Sequence, residues 1–179
     1  QGSIYDLPFE LASFDAVYCF GVIQHTPDVR RSFLSLASMV RPGGEFAVDV
    51  YKSGWRAWTY PKQWLRPITT RLPQRPLFDA IDAAAPALLT LGHAVGQIPL
   101  GGRFLRRFVP IADYEGIFPL SEQQRREWAV LDTFDWLSPR YDQPQSADTL
   151  RRWASDAGLV NVHVHHPAHL SLRAQRPAR

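Results

Sequence analysis

The fold is decided by residues 13–51, which read SFDAVYCFGVIQHTPDVRRSFLSLASMVRPGGEFAVDVY. Residues 15–20 are apolar after their first position and rich in β-branched and aromatic types, which predicts a parallel strand buried on both faces. Pro27 and Asp28 predict a helix start, because proline loses nothing there and an acid favours the positive helix end. A cation and two glycines in residues 41–44 predict the helix end, and residues 45–51 a second strand.

This order of elements is a βαβ unit. Val29, Phe33, Leu36 and Val40 recur at helical spacing, so one helix face is expected to pack on the sheet. Such a unit forms a right-handed crossover in an open α/β sheet, and these sheets bind ligands beyond the carboxyl ends of their strands. Residues 19–25 and 49–51 are therefore expected at the mouth of a binding site.

The same residues carry a family resemblance. The sequence IYDLPF, followed by SFDAVYCFGVIQHTPD and then VRPGGEFAV, resembles the second half of a class I S-adenosylmethionine-dependent methyltransferase of the small-molecule kind. The resemblance covers residues 2–51 and, more loosely, residues 146–175. It implies a Rossmann-like open twisted sheet with S-adenosylmethionine as cofactor.

The resemblance also implies a glycine-rich strand–turn–helix before this stretch, and no GxGxG occurs in the 179 residues. We therefore expect an N-terminally truncated piece of a longer protein, inactive on its own. The strand at residues 15–20 would then have an unpaired apolar edge.

Three regions are expected along the chain: residues 1–51 as the second half of the methyltransferase core, residues 52–121 as a helical insertion, and residues 122–179 as the last helices and strands of the core. By resemblance, the residues expected to touch the cofactor are Gly2, Ser3, Ile4, Cys19, Phe20 and Gly21. Ser3 stands where relatives carry an acid that binds the adenine amino group, and a hydroxyl lacks that charge.

His25 is the candidate catalytic residue. Methyl transfer to a hydroxyl requires removal of a proton, which an imidazole can accept at neutral pH. A shaping or hydrogen-bonding role is the alternative. The residues expected around the acceptor are Gln24, Asp49, Tyr51, Arg140 and Tyr141. Asp49, late in an apolar strand, is expected either to face the pocket or to be paired structurally.

The insertion is basic and rich in tryptophan. Residues 52–78 hold six cations and no acid, interleaved with Trp55, Trp58, Tyr60 and Trp64. Prolines 61, 67, 73 and 76 predict short pieces, and residues 78–100 a helical stretch interrupted by Pro86. The insertion is interpreted as a lid, as a patch for anionic lipid headgroups, or as a solvated helical cap. The net charge of only +3 argues against nucleic acid.

The last part of the chain predicts two helices and two strands. Residues 123–137 predict a helix with Trp128, Leu131, Thr133/Phe134 and Leu137 repeating on one side. Ser146 is a helix N-cap, Gly158 ends that helix, and an antiparallel pair of strands follows. His163, His165, His166 and His169 alternate on an edge strand and are expected to be solvated, with no metal.

One cysteine in 179 residues and no apolar run of membrane-spanning length predict a cytoplasmic protein. The function expected is methyl transfer from S-adenosylmethionine to a small-molecule or lipid-like acceptor. The alternative is a non-catalytic methyltransferase-like binding or scaffold module, with peripheral contact to an anionic membrane.

Overall fold

The computed structural model describes residues 2–54, 60–165 and 170–178. The chain divides into two compact units, Gln1–Gly54 with Tyr141–Arg179, and Trp55–Arg140. The sequence placed the boundaries near residues 51 and 121, so the helix before residue 140 groups with the insertion and not with the core. The predictions for Trp55, Arg56, Trp58, His166, His169 and the turn at residues 167–168 lie outside the described residues.

The first unit is built on a four-stranded sheet. Its strands are β1 (Phe14–Cys19), β2 (Val40–Val50), β3 (Val160–His165) and β4 (Leu170–Gln175), in the order β1-β2-β4-β3. Strands β1 and β2 are parallel, whereas β4 is antiparallel to both β2 and β3. The predicted α/β class with a Rossmann-like βαβ unit and a C-terminal antiparallel hairpin is confirmed.

Helix α1 (Val29–Ser38) connects the two parallel strands. Asp28 is its N-cap, accepting a hydrogen bond from Arg31 N at 2.9 Å. The predicted helix end at residues 41–44 is wrong, because β2 begins at Val40. Phe14 pairs with Val40 and Ala16 with Glu45, so residues 41–44 bulge out of the register. A side chain on Gly44 would lie 2.7 Å from the carbonyl oxygen of Asp15, so this bulge requires glycine.

The core of the first unit lies on one face of β2. Phe46, Val48 and Val50 are buried, as their period of two predicts. Phe33 of α1 packs against Phe46, with ring centroids 5.0 Å apart. Helix α6 (Ala147–Asp156) completes this core, and its predicted N-cap Ser146 accepts a hydrogen bond from the Thr149 N–H at 3.1 Å.

Burial of both faces of β1 was predicted wrongly. Tyr18 is 72% and Phe20 54% exposed, and both alternate with Val17 and Cys19. On the sheet, β1 stands at one end of the strand order among the described residues. Only the face that carries Val17 and Cys19 packs against the core. The unpaired apolar edge expected from the sequence is therefore present in the sheet as described.

The second unit is helical. It contains α2 (Pro61–Thr69), α3 (Gln74–Gly96), the short α4 (Gly102–Leu105) with the 3-10 turn Arg106–Phe108, and α5 (Glu122–Leu137). The prediction that Pro67 and Pro86 interrupt helices is wrong, since both lie inside continuous ones. Pro86 has no N–H for the carbonyl of Asp82, and the Arg126 guanidinium lies 3.4 Å from that oxygen as a substitute donor.

Helix α5 buries only part of the side that repeats in the sequence: Thr133 and Leu137 are buried and Phe134 packs against the core of the second unit. Trp128 is 44% and Leu131 56% exposed, whereas Ala129, Val130 and Thr133 are buried. The smaller side chains face inward because α3 packs against this side of α5. Among the described residues, no helix combines the length and the apolar character needed to cross a bilayer.

Candidate functional site

The carboxyl ends of β1 and β2 are joined by a hydrogen bond. The backbone N–H of Gly21 donates to Oδ1 of Asp49 at 2.5 Å. Gly21 follows β1 with a φ of +71°, a conformation that glycine adopts at low cost. Of the two alternatives left open for Asp49, the structure shows structural pairing, and the loop after β1 is thereby held over the end of β2.

His25 lies beside this junction, on the 3-10 turn Ile23–His25. Its Nδ1 is 2.9 Å from the carbonyl oxygen of Tyr141. A carbonyl can only accept, so Nδ1 carries the hydrogen and the neutral ring has its lone pair on Nε2. The imidazole also meets the Tyr51 ring edge to face, with centroids 5.5 Å apart. The sequence-predicted residues His25, Tyr51 and Tyr141 are thus brought together.

Three buried side-chain atoms on the consecutive residues Gln24 and His25 have no hydrogen-bond partner among the described residues. Gln24 is fully buried with both Oε1 and Nε2 unpaired, and Nε2 of His25 is also buried and unpaired. Unpaired buried polar atoms are rare in folded proteins and costly. Their concentration on consecutive residues indicates a polar site that a ligand or water completes.

A polar loop at residues 141–145 forms one wall of this site. The sequence indicated Tyr141 of this loop as an acceptor contact but gave no role to Gln143 and Gln145. Gln143 donates from its backbone to the Gln24 carbonyl at 3.0 Å and from its side chain to the Thr26 carbonyl at 2.7 Å. Gln145 N donates to the Tyr51 carbonyl at 2.8 Å. The sequence shows two glutamines in this loop, which suggests hydrogen bonding. It does not show their partners, because these lie about a hundred residues away in the chain.

The loop expected to hold adenine is a tight turn. Asp6 N donates to the Ser3 carbonyl at 3.0 Å, and the Ser3 hydroxyl accepts from Tyr5 N at 3.2 Å. The Tyr5 hydroxyl accepts from Asp28 N at 2.8 Å, which fixes the turn against the start of α1. Gly2 and Ser3 are exposed, whereas Ile4 packs against the core.

Cys19 is half-buried at the end of β1. Burial, with the neighbouring Asp49 carboxylate as a smaller cause, raises the pKa of its thiol above the ordinary value. The side chain therefore stays neutral at physiological pH. Phe20 and Gly21 follow it in exposed positions.

The remaining predicted residues lie elsewhere. Arg140 is the last residue of the second unit, so it is not assigned to the group around His25. His163 and His165 are exposed on one face of β3, as expected. Within the described ranges, no three histidine, cysteine or acidic side chains are grouped so as to hold a metal ion.

Comparison with known protein families gives a match to the N-terminal part of the chain. The model of the methyltransferase domain matches residues 1–48. The resemblance to methyltransferases is confirmed over this stretch. It includes every predicted cofactor residue together with Gln24 and His25, but not the loop at residues 141–145.

The chain is also similar to individual proteins. It is 30% identical over 166 residues to an uncharacterized protein of Synechococcus sp., covering 89% of this chain and 34% of that protein. The chain thus spans about a third of its curated relative. Among solved structures, a SAM-dependent methyltransferase of Methanosarcina mazei aligns with 99% of this chain and 66% of its own, at 12% identity and a TM-score of 0.49. Human N-acetylserotonin methyltransferase aligns at 11% identity and a TM-score of 0.44, over 99% and 33% of the two chains.

Proposed function

We propose that the first unit takes part in the transfer of a methyl group from S-adenosylmethionine to a small-molecule acceptor. The observation that carries the proposal is the junction of Gly21 with Asp49, beside the contact of His25 with Tyr51. Both lie at the carboxyl ends of parallel strands, where open α/β sheets bind their ligands.

The residues present fit the cofactor. A side chain added at Gly21 would meet no atom within 4 Å, so the backbone there is open to close approach by a ligand. Gly2, Ser3 and Phe20 are also exposed, and all three lie in the matched stretch. S-adenosylmethionine would supply an activated methyl group, and the residues proposed to hold it are Gly2, Ser3, Ile4, Cys19, Phe20 and Gly21.

His25 is proposed as the general base. The hydrogen bond to the Tyr141 carbonyl fixes the ring so that Nε2 can accept a proton from an acceptor hydroxyl. The buried amide of Gln24 can orient the acceptor through a hydrogen bond. With S-adenosylmethionine bound, His25 and Gln24 would hold the acceptor oxygen in line with the activated methyl group, and this alignment would supply most of the rate enhancement.

Asp49 and Tyr51 shape the acceptor site in this proposal, Asp49 by holding Gly21 and Tyr51 by packing on the imidazole. Arg140 and Tyr141 remain proposed acceptor contacts. A lipid-like acceptor is a narrower form of the same proposal. The cytoplasmic location also stays a prediction.

The test uses the natural full-length protein that contains this chain. His25→Ala should lower kcat by about a hundredfold or more, while S-adenosylhomocysteine affinity measured by calorimetry changes little. The acid limb of the pH–rate profile should disappear with it. His163→Ala, on the exposed face of β3, is the matched control. If His25→Ala lowered turnover and cofactor affinity equally, His25 would not be the general base.

A non-catalytic module is the second candidate, and Ser3 favours it. Its hydroxyl already accepts a hydrogen bond from Tyr5 N, and it lacks the charge that an acid would offer to adenine. Calorimetry separates the two candidates: S-adenosylhomocysteine should bind the full-length protein if it is an enzyme, and absence of heat would favour the module.

A further inference from the structure

The second unit carries three exposed aromatic rings in contact with one another. Trp64 of α2 stacks on Phe108 with centroids 6.0 Å apart and planes 25° apart. Phe104 of α4 meets Phe108 edge to face at 5.5 Å. Trp64 is 54%, Phe104 52% and Phe108 37% exposed. These three residues are called the aromatic ridge.

Aliphatic side chains extend the apolar surface of both segments that form the ridge. Ile68 lies one helical turn from Trp64 and is 64% exposed, and Leu105 follows Phe104 in the chain and is 45% exposed. A cluster of this kind exceeds the single exposed apolar residues that are normal on a protein surface. The cluster therefore indicates a surface that binds an apolar partner.

The two segments that form the ridge carry cations and no acids. Residues 60–78 and 97–112 contain no aspartate or glutamate. Arg106 points inward to the carboxylates of Asp113 and Glu115, whereas Arg103 and Arg107 are exposed. The Arg107 guanidinium lies 5.8 Å from the Phe104 ring centroid, so cation and aromatic face occupy the same surface.

We infer that the aromatic ridge, with Arg103 and Arg107, docks on the surface of an anionic phospholipid bilayer. Tryptophan and phenylalanine partition to the boundary between headgroups and acyl chains, and arginines beside them pair with lipid phosphates. The charge complementarity decides for this occupant, because Arg103 and Arg107 are exposed beside the rings and can meet the phosphates of an anionic bilayer while the rings enter its apolar boundary. The inference is independent of the methyl-transfer chemistry.

Vesicle sedimentation of the full-length protein tests the inference. Binding to vesicles of phosphatidylserine and phosphatidylcholine should exceed binding to phosphatidylcholine alone. It should fall steeply as salt rises from about 0.1 M to about 1 M, where the screening length shortens from about 10 Å to about 3 Å. The double variant R103E/R107E should lower the partition coefficient by at least about 25-fold, at roughly fivefold for each arginine.

Matched variants separate charge from apolar insertion. R151E/R152E makes the same charge change on exposed positions of α6 and should leave binding nearly unchanged, apart from the general loss of positive charge. Trp64→Ser should weaken binding about tenfold. Trp128→Ser removes the other exposed tryptophan described in the second unit, which packs on Tyr114, and should have no such effect.

Three results would overturn the inference: no preference for anionic vesicles, equal losses in the ridge and control variants, or salt-sensitive binding to single-stranded nucleic acid in place of vesicles. A dimer that Trp64→Ser abolishes, without vesicle binding, would also overturn it. Circular dichroism establishes that each variant is folded, and the single variant Arg107→Glu replaces R103E/R107E if the double variant is not.

Discussion

Oδ1 of Asp49 accepts the backbone hydrogen of Gly21 at 2.5 Å, so one carboxylate on β2 holds the first residues after β1. Such a bond is charge-assisted, and its acceptor side chain is half-buried. The residues proposed for the cofactor and the acceptor lie on the two segments that it joins, so this bond fixes the geometry of the proposed site.

Asp49→Ala should lower the free energy of unfolding by about 1.5 kcal/mol, because the Gly21 N–H loses a charged partner. Asp49→Asn keeps a carbonyl oxygen and should lose roughly half as much. Urea unfolding measures both. Asp15→Ala is the control, since Asp15 is 82% exposed in its pair with Arg41 and should cost at most about 1 kcal/mol. A loss from Asp49→Ala no larger than the control would contradict the role given to this bond.

Gly21→Ala should reduce S-adenosylhomocysteine affinity far more than it reduces stability. The added methyl group meets no protein atom within 4 Å, so its only cost in the free protein is a positive φ, about 1 kcal/mol. Calorimetry and thermal unfolding measure the two effects. Gly158→Ala has the same kind of φ and the same open surroundings, and should cost stability without affecting the ligand. Similar ligand affinities in both variants would show that the cofactor does not approach Gly21.

Cys19 should react slowly with iodoacetamide at pH 8, because burial first and the Asp49 carboxylate second raise the pKa of its thiol. It is the single cysteine of the chain, so labelling reports on one site. As pH rises, the unfolded chain loses this proton before the folded one. The contribution of Cys19 to stability is therefore present below the ordinary pKa of 9.0 and is lost as the pH rises through its higher folded-state value.

Asp49→Asn should increase the labelling rate of Cys19 measured by mass spectrometry, since it removes the neighbouring negative charge. The urea-unfolded chain provides the reference rate. A folded protein that reacts as fast as the unfolded chain would contradict the burial of the thiol.

Glu115 should make the second unit sensitive to acid. Its hydrogen bond with His93 at 2.8 Å is the main cause that lowers its pKa, with Arg125 and Arg106 also contributing. The unfolded chain binds this proton first as pH falls, so the stabilisation is present above the ordinary glutamate pKa and is lost as the pH falls through the lower folded value.

Glu115→Gln should therefore flatten the dependence of the free energy of unfolding on pH between neutral and acid conditions. Glu127→Gln, whose carboxylate accepts only a helix-surface bond from Gln123 in the described structure, is the control. An unchanged slope for Glu115→Gln would show that this carboxylate does not couple folding to pH.

The sequence predicted the elements whose signals are local. Ser146 caps its helix as predicted, because a short polar side chain can reach the free N–H group three residues on. Asp28 was predicted in the first turn of α1 and is its N-cap instead, so that helix starts close to the predicted place. The alternation of Phe46, Val48 and Val50 marked the buried face of β2 without further information. The position proposed for the site, at the carboxyl ends of β1 and β2, rests on the order of these elements.

Predictions failed where a distant residue decides the outcome. The turn signal at residues 41–44 marks a bulge within β2, because pairing with β1 sets the register there. Pro86 does not break α3, since Arg126 from another helix serves the freed carbonyl of Asp82. Gln143 could not be assigned to the site, because its partners Gln24 and Thr26 are distant in sequence.

The backbone N–H of Ser53 donates to the carbonyl of Gln145 at 2.8 Å, so the chain leaves the first unit and returns to it at neighbouring points. When the two ends of an inserted segment lie this near each other, the segment can be replaced by one of different length without changing the order of the strands. Recombination could thus exchange residues 55–140 as a cassette. Descendants of one methyltransferase core would then acquire new specificities or attachment sites while the sheet stayed unaltered.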